Sequence, residues 1–234
     1  MLYIFGDSFS VSKEYFLTTP IYKNNKEKID NTGLESWIDI VAANLGKEVN
    51  NQATIGASNE WIMNLFFNGD TNNFKDDDYI IIQLSSTNRR WFFPDRPHLG
   101  NFHTTVLGDA VSDKEKVAID YYVKYLWNQH ADSVNLNILL LALQHISHII
   151  NCRMLILPGF EDIGGVTGKL NDVCFGEFDN CDGKIKEFYN TNLGDLRLNH
   201  LSPINHKILG EKVSKFFING TGVDLTTDFH KNIY

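Results

Sequence analysis

The sequence predicts a mixed α/β domain built on a parallel sheet with helices on both faces. Three observations point there. Short apolar runs of strand length recur at Leu2–Phe5, Tyr79–Leu84 and Met154–Leu157. Segments with apolar residues at helical spacing lie between and after them. No Pro-, Ser- or Gly-rich linker interrupts the 234 residues, so a single domain over 1–234 is expected.

In chain order, Leu2–Phe5 reads as a buried strand broken by Gly6, with Asp7 and Ser8 directly after it. A hydroxyl just past a buried strand stands at the C-terminal rim of a sheet, where open α/β sheets bind ligands. Residues 10–33 are polar and read as an irregular surface loop. Glu35–Leu45 carries Trp37, Ile38, Val41, Ala42 and Leu45 on one helical face, and Gly46 stops it. Lys47–Gln52 is a short strand candidate. A turn over 53–56 leads to Ser58 or Asn59 as N-cap of a helix to Phe67, with Trp61, Ile62, Leu65 and Phe66 as its apolar face.

Asp76–Asp78 forms a charged turn before Tyr79–Leu84, the clearest strand, rich in isoleucine. Residues 89–117 show no clean period and read as an excursion, or lid, over the rim. A mostly helical region follows from about Lys114 to Ile150, with an interruption expected over 130–135. Its second half, LNILLLALQHISHII, is apolar nearly all round and predicts deep packing. Met154–Leu157 is a further strand, closed by Pro158-Gly159. Residues 160–199 are irregular, with one short helix expected at 184–189. Ser202 as N-cap and Pro203 at the first helical position open a helix to about Phe217, and the tail is weakly patterned.

Composition narrows the function classes. The chain is 43% hydrophobic and 21% charged, with a formal net charge of −8. That balance argues against a nucleic-acid partner, which wants a basic stripe. The longest apolar run, Ile138–Leu143, is too short for a bilayer, so no membrane partner is expected. A strand beginning at residue 2 leads to the expectation of no export leader, hence a cytoplasmic protein. Three cysteines, Cys152, Cys174 and Cys181, make no complete disulfide framework and read as free thiols.

The residues at the strand ends suggest chemistry. Gly6-Asp7-Ser8-Phe9-Ser10, then Asn51 to Gly56, then Ser86-Thr87-Asn88, then His200-Leu201-Ser202-Pro203 occur in that order. This set resembles the four sequence blocks of the SGNH/GDSL hydrolase family, and the likeness spans residues 2 to about 217. The resemblance implies a flavodoxin-like three-layer α/β/α fold and a serine esterase that needs no cofactor. It implies Ser8 as nucleophile and His200 as its base. It also implies the backbone N–H groups of Ser8 and Gly56 and the amide of Asn88 as oxyanion donors.

Each role has a physical reason. A serine hydroxyl needs a base within hydrogen-bond reach, and imidazole titrates in the useful range. Attack on an acyl carbonyl develops an oxyanion that needs preorganised donors. Two positions depart from the family pattern. The acid expected three residues before the histidine is replaced by Arg197, which leaves Asp195 as the nearest third member, and Ser86 stands where the third block has glycine. Both departures keep a second reading open, a catalytically impaired carbohydrate-binding or structural protein on the same fold, and the resemblance also allows it to be virion-associated.

The polar rim segments point to a small-molecule or glycan ester, with O-acetyl groups favoured over long lipid chains. Trp91, with Phe92 and Phe93, reads either as a core anchor or as an aromatic platform for substrate. His145 and His148 lie three apart on one helix, yet no carboxylate or cysteine joins them locally, so they read as buried or partner-facing and no metal is expected. His206 reads as structural. The sequence leaves the oligomeric state open.

Overall fold

A computed structural model describes residues 1–18, 22–23, 26–27, 35–68, 74–87, 89–91, 99–101, 112–170 and 201–230. In chain order the elements are β1 (Leu2–Phe5), a 3₁₀ turn (Ser8–Ser10), α1 (Lys13–Thr18), α2 (Trp37–Leu45), β2 (Val49–Asn51), α3 (Asn59–Asn68) and β3 (Tyr79–Leu84). Then follow β4 (Arg89–Arg90), β5 (Leu99–Asn101), α4 (Asp113–Tyr125), α5 (Gln129–Ile149), β6 (Arg153–Pro158), β7 (Val166–Thr167), α6 (Pro203–Asn219) and β8 (Val223–Asp224). The main sheet has four strands in the order β2-β1-β3-β6, and every pairing in it is parallel.

Successive side chains of a strand point to opposite faces, and each face carries its own core. Leu2, Ile4, Ile81, Leu155 and Leu157 pack with Trp37 and Val41 of α2 and with Leu209, Val213 and Phe217 of α6. Phe5, Ile80, Ile82 and Leu84 pack with Ile62, Met63 and Phe66 of α3 and with Leu143 of α5. Helices thus cover both faces, as an α/β/α sandwich requires. Counted within the main sheet, the strand order is 2-1-3-4, which places the topological switch between β1 and β3.

Local chemistry accounts for the helix ends. Ser36 and Asp39 form a reciprocal capping box at the start of α2, and Gly46 ends that helix at φ 61°. The Ser58 hydroxyl accepts from the Trp61 N–H at 3.2 Å and starts α3. The Ser202 side chain accepts from the Asn205 N–H with Pro203 behind it, and Gly220 closes α6 at φ 70°.

Four expectations are corrected. A helix, α1, occupies part of the segment expected to be an irregular loop. The helical break falls at residues 126–128, because the Asn128 carbonyl side chain accepts from the N–H groups of His130 and Ala131 and starts α5 there. Helix α5 is not packed all round: Leu143 is buried, but Ile138, Leu141 and Ile149 are 59–67% exposed, and His145 and His148 are exposed too. One face of α5 suffices to cover the sheet. The weakly patterned tail contributes β8, which pairs in parallel with β7.

The excursion after residue 88 begins as a two-stranded antiparallel pair, β4 with β5. The helix expected at 184–189 lies outside the described residues. Cys152 is a free thiol, whereas Cys174 and Cys181 lie outside the described residues. Among the described residues no helix is long and apolar enough to cross a membrane.

Candidate active site

Ser8 opens the 3₁₀ turn directly beyond β1, at the C-terminal rim of the central strand. It is 9% exposed, and its hydroxyl makes no hydrogen bond to any described residue. The turn around it is held from several sides. Asp7 is fully buried and caps the turn, its Oδ1 accepting from the Phe9 N–H at 3.0 Å. Its Oδ2 accepts from the Ser85 hydroxyl at 2.8 Å and from Arg89 Nη1 at 2.5 Å. Gln83, also fully buried, accepts the Asp7 N–H at 2.8 Å and receives the Ser10 hydroxyl at 3.3 Å.

Close backbone packing explains two glycines here. A Cβ on Gly6 would stand 2.8 Å from Gln83 Oε1. A Cβ on Gly159, just past β6, would stand 2.1 Å from the Leu84 carbonyl oxygen.

The second block comes to the same rim. The Thr54 N–H donates to the Gly6 carbonyl at 3.0 Å, and Gly56 adopts φ 73°, a left-handed conformation that suits glycine. Asn51 reaches across, donating from Nδ2 to the Ser10 carbonyl at 2.8 Å.

Asn88 lies outside the described residues, but both of its chain neighbours are anchored. Thr87 donates to Glu161 Oε1 through its N–H at 3.0 Å and its hydroxyl at 2.9 Å. Arg89 pairs with Asp7. Ser86, which stands where the resembled block has glycine, is 6% exposed.

His200, Asp195 and Arg197 also lie outside the described residues. The residue after His200, Leu201, is buried in the same apolar cluster as Phe9. The helix it enters is tied to the serine turn through Trp37. The Trp37 indole donates to the Phe9 carbonyl at 3.0 Å, and the Trp37 N–H donates to His206 Nδ1 at 3.0 Å. His206 is thus a buried structural residue, with a proton on Nε2 in its neutral form.

Trp91 is half-buried, and its ring meets Trp61 edge-on with centroids 5.2 Å apart. Phe92 and Phe93 lie outside the described residues. Among the described residues no group of three or more His, Cys, Asp or Glu side chains is placed to hold a metal ion.

Sequence reasoning missed Arg89, Gln83 and Glu161. The partners by which they hold the rim lie 73 to 82 residues away, so no local spacing signals them. No family model, no curated protein and no solved structure matches the chain.

Proposed function

We propose that this protein is a serine esterase whose site resembles that of the SGNH/GDSL hydrolases, with Ser8 as nucleophile and His200 as general base. The observation that supports this reading best is convergence at one rim. Thr54 bonds to Gly6, Arg89 pairs with Asp7, and Leu201 shares a cluster with Phe9. Two segments far apart in sequence, each bearing or adjoining one expected functional residue, therefore meet residues beside Ser8, and a third enters at Leu201 the apolar cluster that holds Phe9.

The reaction runs in two halves. Ser8 Oγ attacks the ester carbonyl as His200 takes its proton. The N–H groups of Ser8 and Gly56 and the Asn88 amide receive the developing oxyanion. The intermediate collapses, the alcohol leaves with the proton from His200, and the acyl group stays on Ser8. Water, deprotonated by His200, then attacks the acyl carbon, and His200 returns that proton to Ser8 Oγ as the acid leaves. No cofactor is required, and the substrate is a small-molecule or glycan ester. Asp195 is the nearest acid in the sequence to orient the imidazole, and Arg197 stands where the resembled family carries that acid.

The test is Ser8→Ala assayed on a chromogenic acetate ester, with circular dichroism to show that the fold is intact. Hydrolysis is expected to fall to background. Full activity in the folded variant would overturn the assignment. Loss of all hydrolysis in the unsubstituted protein would favour the binding or structural reading.

A further inference from the structure

On the α3/α5 side of the rim lies a cavity of about 230 Å³. Met63 of α3 and Leu136 and Leu139 of α5 form its apolar wall, while Asn59, Thr87 and Arg90 bring its lining to the rim. Five of the six polar lining residues are already engaged; the sixth, Asn135 of α5, is exposed. Asn59 clasps the backbone of Ser85, donating to its carbonyl at 3.1 Å and accepting its N–H at 2.7 Å. Thr87 is bound to Glu161. Arg90 donates to Glu60 at 2.8 Å and pairs with Asp132, which is 4% exposed and also receives the Trp127 indole N–H at 2.6 Å.

Two carboxylates against one guanidinium leave this wall net negative, which disfavours an anionic ligand. A polar neutral ligand would find most of these donors and acceptors committed. A neutral apolar group suits what remains. The volume is below the range for a whole drug-sized ligand, about 300–1,000 Å³, so the cavity suits one arm of a molecule. At about 30 Å³ per water-sized group, it takes a chain of about six to eight carbons.

A chain of hydrogen bonds links the cavity's lining to the candidate site. Asn59 holds Ser85, and the Ser85 hydroxyl donates to Asp7, the chain neighbour of Ser8. We propose that this cavity receives the acyl chain of the ester cleaved at Ser8, a chain longer than the acetyl group that the sequence favours. An acetyl group would leave most of the volume empty. This inference rests on the esterase reading above, and the experiment below separates the two.

The assay is the kcat/KM ratio for 4-nitrophenyl hexanoate over 4-nitrophenyl acetate. A second readout is the binding of both esters to Ser8→Ala by calorimetry. Burial of each added methylene favours binding by about fourfold, so hexanoate is expected to bind at least tenfold more tightly than acetate. Leu139→Trp and, independently, Met63→Phe fill the cavity and are expected to lower the hexanoate-to-acetate ratio at least tenfold. Should Leu139→Trp not fold, Met63→Phe carries the same readout.

An unchanged ratio in folded variants, with Ser8-dependent hydrolysis retained, would overturn the cavity assignment and leave the esterase reading standing. Absence of hydrolysis with every ester would overturn the esterase reading. Calorimetry alone then decides the cavity: tighter binding of hexanoate that is lost in Leu139→Trp supports an apolar-chain site, and equal binding of the two esters refutes it.

Discussion

Replacing Arg89 by leucine tests the buried polar network that holds the serine turn. Asp7 is 0% exposed and the Arg89 side chain 12%, so the substitution strands a carboxylate away from water. Breaking a buried pair by removing one partner costs about 3–5 kcal/mol. Asp7 keeps the Ser85 hydroxyl and the Phe9 N–H, which places the expected cost at the lower end, about 3 kcal/mol. Urea unfolding followed by circular dichroism measures it. With a slope of about 2–3 kcal/mol per molar urea, the midpoint drops by about 1–1.5 M.

The double variant Asp7→Asn/Arg89→Leu removes both charges, and its loss is expected to fall short of the sum of the single losses by at least about 1.5 kcal/mol. A cost below about 1 kcal/mol for Arg89→Leu, or coupling below about 0.5 kcal/mol, would refute the reasoning. Either result would mean that the pair does not hold the turn.

Two further predictions concern packing and titration. Gly159→Ala forces a Cβ against the Leu84 carbonyl, so β3 and β6 must separate at the rim, and a loss of about 1–3 kcal/mol is expected; a thermal melt indistinguishable from that of the unsubstituted protein would contradict it. Hydrogen bonds from Thr226 and Thr227 hold the Asp224 carboxyl at a pKa of about 2. A lowered acid pKa in the folded state contributes stability above the unfolded value, near 4, and that contribution is lost as pH falls toward 2. Thr226→Ala is expected to move the Asp224 titration upward when followed by carboxyl-carbon NMR, and an unmoved titration would exclude this origin.

Much of the fold is legible in the sequence because its signals are local. Tyr79–Leu84 is a run of β-favouring apolar residues bounded by an acidic turn, and β3 has those bounds. Gly46 and Ser202-Pro203 mark helix ends through backbone chemistry that needs no tertiary context. Helix α5 misleads because composition alone does not say how many faces are covered: Leu143 meets the sheet, while Ile138 and Leu141 do not.

At the candidate site, the placement of Ser8 past β1 and the turn at Gly56 follow from local patterns of strand and glycine. The groups that hold them do not. The Asp7–Arg89 pair joins residues 82 apart, and Gln83 reads as an ordinary strand residue until its side chain is seen to bind both sides of the serine turn.

Covalent labelling decides whether Ser8 is the activated nucleophile proposed above. A fluorophosphonate probe is incubated with the protein, and the modified peptide is located by mass spectrometry. A single adduct on Ser8 is expected, and it is lost in Ser8→Ala. An unlabelled Ser8 in folded protein, or labelling that persists in Ser8→Ala, would contradict it.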